Sequence, residues 1–109
     1  MQTIDSSTVR RMVTMAGCPF FSDELMREWD SRLHVPAVRS NTGKLFFVTS
    51  DQLDKRFARA YTVWHFDGGI VIQASRQPDL NRAVERMREL ARWDEQASSD
   101  GVWGFGLGK

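Results

Sequence analysis

One cysteine and two histidines, Cys18, His34 and His65, are the side chains of this sequence best suited to nucleophilic or proton-transfer work. A cysteine enzyme needs its thiolate beside an imidazole that is itself oriented by a third group. Cys18 stands in "GCPFF", just ahead of a helix-start signal at Ser22, where a positive helix end would favour the thiolate. No local signature accompanies it, so Cys18 reads first as a small apolar residue in a connector, and a small cysteine-dependent enzyme ranks behind the binding readings. The long intervals between Cys18, His34 and His65 match no zinc spacing, and no carboxylate-rich calcium loop occurs. Two carboxylate pairs, Asp51/Asp54 and Glu85/Glu89, would need surroundings that separate their pKa values. The first falls in a polar connection and the second on the charged side of a helix, so both are expected to be solvated. Gly104, Gly106 and Gly108 have the density of a phosphate-cradling loop, but such loops lead from a strand into a helix, and only Lys109 follows. The expectation is a protein that binds rather than catalyses, without cofactor or metal.

Composition supports one ordinary folded domain: 109 residues, 41% hydrophobic and 27% charged. A chain of this size buries about two-thirds of its unfolded surface and folds without staples. That matters here, because a single cysteine allows no internal disulfide. A reducing, cytoplasmic setting is expected, since no apolar run approaches the roughly 18 residues of a membrane span and "MQTIDSSTVRR" lacks the apolar core of a signal peptide. With a formal charge of +1, no whole-molecule field draws in nucleic acid.

The elements that must position any site follow from periodicity. In "DSSTVRRMVTMAG", Ser6 or Ser7 can cap a helix whose apolar residues are Val9, Met12, Val13 and Ala16, with Gly17 ending it. Ser22 offers a second cap, and Met26, Trp29 and Leu33 predict a helix running to about His34, closed by Pro36. The aromatic and β-branched run at 44–50 predicts a strand, with Asn41, Thr42 and Gly43 as the turn before it and "AVRS" as a small partner. "ARAYTVWHFDGGIVIQASR" predicts a hairpin with a two-residue Asp67–Gly68 turn, which sets Trp64 opposite Val71, Val63 opposite Ile72 and His65 opposite Ile70. One hairpin face then carries Tyr61, Val63, His65, Ile70, Ile72 and Ala74, the better core face. The other carries Thr62, Trp64, Phe66, Val71, Gln73 and Ser75. After Pro78, Leu80, Val84, Met87, Leu90 and Ala91 predict a long amphipathic helix that covers the core face.

These elements make an α+β domain over residues 1–97, ordered α-α-β-β-β-α, with three helices, a three- to four-stranded antiparallel meander and a Gly/aromatic tail at 98–109. The order over residues 22–97 is similar to that of double-stranded-RNA-binding domains. Those domains carry a basic cluster where the last helix opens, whereas here the segment reads "RQPDLNRAV", with Arg76 and Arg82 and no lysine run.

Two surfaces stand out for binding. In an extended tail Trp103, Phe105 and Leu107 share one side, and burying each contributes on the order of 1.5–3 kcal/mol. That strip can cover Trp64, Phe66 and Val71 on the sheet face left open by the last helix, or all six residues can meet another chain, including a second copy. This is the pattern of a compact protein-binding module, such as a phage- or plasmid-encoded anti-defence inhibitor of the anti-CRISPR type, or an adaptor of a larger complex. The alternative is a nucleic-acid-binding regulatory domain using Arg76, Arg82, Arg86 and Trp93, although Glu85 and Glu89 interleave with those arginines at pairing distance.

Overall fold

A strand reads as buried on both faces when nearly every residue is apolar or small, and "LFFVTSD" has that composition. The structure, a computed structural model, describes residues 1–16, 32–52 and 56–99. In it Leu45–Asp51 is the middle strand of a five-stranded antiparallel sheet, with the six residues from Leu45 to Ser50 all buried. In chain order the described elements are β1 (Gln2–Ile4), α1 (Ser6–Met15), β2 (Arg32–Arg39), β3 (Leu45–Asp51), β4 (Ala60–Phe66), β5 (Val71–Gln77) and α2 (Leu80–Ser99). Strand order in the sheet equals chain order, so β1 and β5 are its edges.

Both faces are covered. Val9 and Val13, four apart on α1, pack with Ile4, Ala37, Leu45, Phe47 and Phe66 on one face. Ala83, Met87 and Ala91 of α2 repeat at the same spacing and pack with Val38, Phe46, Val48 and Val63 on the other. The result is a three-layer α+β domain with a small core on each side of the sheet.

The α+β class and the antiparallel sheet match the reading of the sequence, but the element list changes. A fourth and a fifth strand replace the predicted three to four, and two helices rather than three lie among the described residues. Residues 32–34 belong to β2, not to the end of a helix, and the small "AVRS" partner is the last part of the same eight-residue strand. Pairing on both sides decides this: Leu33 sits opposite Thr49 and Ala37 opposite Ile4. Pro36 lacks an N–H to donate, and the β2–β3 register shifts between His34 and Val38, where the proline stands. The predicted helix at 22–31, Cys18, Trp29 and the helix end at Gly17 lie outside the described residues.

Local chemistry sets the remaining ends. Asp5, rather than Ser6 or Ser7, caps α1, its carboxylate accepting from the Thr8 N–H at 2.8 Å. That bond also holds the Asp5 carboxyl below its ordinary range. The β2–β3 turn closes with Ser40 N–H to the Lys44 carbonyl at 2.9 Å and with Gly43 at φ +93°, a value that favours glycine.

Candidate functional site

The β4–β5 hairpin forms, but with a longer loop than the predicted two-residue turn. Phe66 pairs with Val71, His65 with Ile72 and Trp64 with Gln73, so residues 67–70 make the turn. Gly68 supplies φ +107°, and the Asp67 carboxylate accepts from the Gly69 N–H at 3.0 Å, which closes an Asx turn inside the loop. Because the register moved by two, every side chain keeps its predicted face. A bulge between Val63 and Trp64 then gives β5 one extra residue.

The sheet face expected to stay open is occupied by α1. Phe66 is buried in the α1-side core, Trp64 and Val71 pack at its margin, and the Trp64 Nε1–H donates to Thr49 Oγ1 at 2.7 Å. Trp103, Phe105 and Leu107 lie outside the described residues. The reverse holds for two residues expected in the core: Ile70 is 63% exposed and Ile72 39% exposed. Ile70 stands in the longer loop, and Ile72 stands on the edge strand, with no further strand to cover it.

Ile72 lies on the α2 side, next to His65, whose ring lies 6.1 Å from that of Phe46. Over the same edge runs one flank of α2. Gln77 of β5 and Arg82, Arg86 and Glu89 of α2 line a shallow groove of about 250 Å³, which fixes that flank beside β5. Trp93, one turn further along, is 51% exposed, and the Arg86 guanidinium stands 4.9 Å from its ring centroid. Arg86 also pairs with Glu89, and Arg82 with Asp79 at 3.7 Å. Arg76 is exposed but pairs with Thr62, on the α1 side of the sheet. The four residues of the expected nucleic-acid face are therefore divided between two faces, and two of the arginines have carboxylate partners.

At the opposite end of β4 three polar side chains meet. Ser50 is fully buried, accepts from Arg59 Nη1 at 3.0 Å and lies 2.7 Å from His34 Nε2. The Arg59 bond leaves the Ser50 hydrogen for the imidazole, which serves as acceptor when neutral. Burial, with Arg59 and Arg32 nearby, pushes the His34 pKa down and so favours that state. The pair has the residue types of a nucleophile and its base, yet Ser50 has no exposed surface for a substrate to reach. His65 is likewise pushed down by burial and by Lys44, against the pull of Asp67 and Asp94, and its Nδ1 is buried without a hydrogen-bond partner.

Both histidines give the same sign of pH dependence. A folded state that resists protonation is at full stability above the ordinary histidine value of 6.5 and loses stability as pH falls below it. Unfolding in urea at successive pH values should therefore show the midpoint falling below about pH 6.5, well above the carboxylate range. The same series on a His34→Gln, His65→Gln chain should be flat there; an unchanged slope would contradict the two buried neutral imidazoles.

The end of α2 is tied down by Asp94, which accepts from Ser40 Oγ at 2.6 Å and from Thr42 Oγ1 at 2.5 Å and stands 3.6 Å from Lys44 Nζ. Burial raises the Asp94 pKa, but these contacts outweigh it and hold the carboxyl low. Glu95 accepts from the Asn41 N–H and pairs with the terminal amine of Met1 at 2.8 Å. Both carboxylates are absorbed in fixing α2 to the β2–β3 turn. No group of three or more His, Cys, Asp or Glu suited to a metal ion occurs among the described residues, and no described helix is long and apolar enough to cross a membrane.

Comparison with known proteins gives a match over α1 to β4 and into the first residue of β5. No curated protein and no solved structure matches the chain. Residues 6–71, more than half of the chain, match a family described as "Family of unknown function (DUF7447)", and the chain belongs to that family.

Proposed function

We propose that this protein is a protein-binding module whose contact surface is the β5 edge together with the α2 flank above it. The observation that carries the reading is the exposure of Ile70 and Ile72 on the free edge of an otherwise well-filled sheet, beside an exposed Trp93. A free strand edge supplies backbone groups for an extended partner segment, and side chains beside it supply selectivity. The bulge beside Ala74 interrupts that edge, which disfavours indiscriminate pairing and leaves recognition to side chains. Large aromatic and apolar residues at such a place are the usual anchors of protein interfaces. A compact inhibitor or adaptor of a larger assembly would work through a surface of this kind. Nucleic-acid binding is the weaker reading, because Arg82 and Arg86 are paired with Asp79 and Glu89.

Capture tests the proposal. Full-length chain, an Ile72→Lys variant and a Met15→Lys control are used as bait in nuclease-treated lysate from cells that also express an untagged copy. A protein species retained by wild type and by the control, lost with Ile72→Lys and held equally at low and moderate salt is the expected result. Retention that ignores Ile72, or capture that disappears with nuclease or steeply with salt, would overturn it.

A further inference from the structure

We infer that the occupant of this surface is a second copy of the chain, with the α2 flanks antiparallel across a two-fold axis between Arg86 and Glu89. The inference rests on the reading of this surface as a protein-binding one and names the partner. Its basis is the order of side chains along the flank: Arg82, Arg86, Glu89 and Trp93, all on the β5 side of α2 at helical spacing. Read in the reverse direction the same series is aromatic, acidic, basic, basic. An antiparallel pairing centred between Arg86 and Glu89 sets Arg82 against Trp93 of the second copy and Arg86 against Glu89 of the second copy, each twice. Every contact is then a cation over an aromatic ring or a pair of opposite charges, and no like charges are opposed. This is the self-complementarity that an isologous interface requires, since each residue must suit its own counterpart.

The strand edge agrees with that axis. From the start of α2 at Leu80 to a point between Arg86 and Glu89 is about 11 Å along the helix. From Gln77 back to the bulge at Ala74 is about 10 Å along β5, in the same direction. One axis can therefore pass near the middle of both elements. Ile72 then sits at the margin of the contact and is covered. The Arg86–Glu89 pairs become an alternating ring of four charges, and the bulges meet where a continuous ladder is not needed.

Molar mass by light scattering, on the full chain between about 1 and about 200 μM, reads a dimer of micromolar affinity directly. Wild type should approach twice the chain mass across that range. Arg86→Glu opposes like charges and should weaken association at least about tenfold. The double variant Arg86→Glu, Glu89→Arg reverses both signs, keeps the ring alternating and should restore the dimer. Ile72→Lys should behave like Arg86→Glu. Circular dichroism of each variant establishes that α2 is retained. A wild-type chain that stays monomeric overturns the inference, as does a dimer indifferent to Arg86→Glu and Ile72→Lys. A monomer that still captures another protein through Ile72 overturns the self-association while leaving the binding reading standing.

Discussion

A Phe47→Ala chain should lose about 3–5 kcal/mol of stability, the cost of emptying an aromatic site that cannot collapse. Phe47 is fully buried at the centre of β3, opposite Trp64, and belongs to the cluster that Val9 and Val13 of α1 complete. Its neighbours are held by strand pairing on both sides, so little of the lost volume can be recovered. Domains of this size have about 5–15 kcal/mol in total, which leaves the variant close to its unfolding transition. Urea unfolding followed by far-ultraviolet circular dichroism measures the loss. Met15→Ala, at a site 79% exposed, should change the midpoint little. A Phe47→Ala chain as stable as Met15→Ala would mean that α1 does not close the second face of the sheet.

Asp94→Ala should cost about 2–3 kcal/mol, because hydrogen bonds to a charged acceptor are worth about 1.5–3 kcal/mol and the buried Ser40 hydroxyl loses its acceptor. The loss falls on the attachment of α2 to the β2–β3 turn, so amide exchange should quicken in the last turns of α2 before the rest of the sheet. Asp94→Asn keeps an acceptor and should recover part of the difference. The sign of the pH effect is fixed by the lowered pKa: the Asp94 contribution is complete above its ordinary value of 3.8 and disappears as pH falls through the folded value. Equal exchange rates in the two chains would mean that the Ser40–Thr42–Asp94 cluster does not anchor the helix.

The parts of this fold that could be read from the sequence are those in which one period runs long enough to be unambiguous. Leu80, Val84, Met87 and Ala91 repeat over five turns, and the helix they predict over 80–97 is present as Leu80–Ser99. The strand at 44–50 and the hairpin were legible for the same reason. Three-residue β1 has no period to display; its existence depends on Ala37, Val38 and Arg39 lying opposite it. β2 was concealed by Leu33, which continues the helical stripe begun by Met26 and Trp29, and by Pro36, which a register shift accommodates.

The candidate site was legible only in fragments. Arg82, Arg86 and Trp93 could be placed on one helix from spacing alone. Their nearness to Ile72 could not, because it depends on β5 being the sheet edge, and Asp67–Gly68 suggested a tighter turn that would have set Ile70 opposite His65. Ile70 and Ile72 looked like core residues because their apolar character does not reveal whether another strand follows. The His34–Ser50 contact joins strands 16 residues apart and had no sequence signal at all.

The central claim is that the β5 edge touches another polypeptide, and a photoreactive phenylalanine analogue placed at Ile72 tests it most directly. Irradiation of the full chain in cells, with a second chain carrying the analogue at Met15, should give a protein adduct from position 72 and none from position 15. The adduct's peptide map then shows whether the partner is a second copy, joined through α2, or another protein. No adduct at position 72, or one to nucleic acid, would contradict the claim.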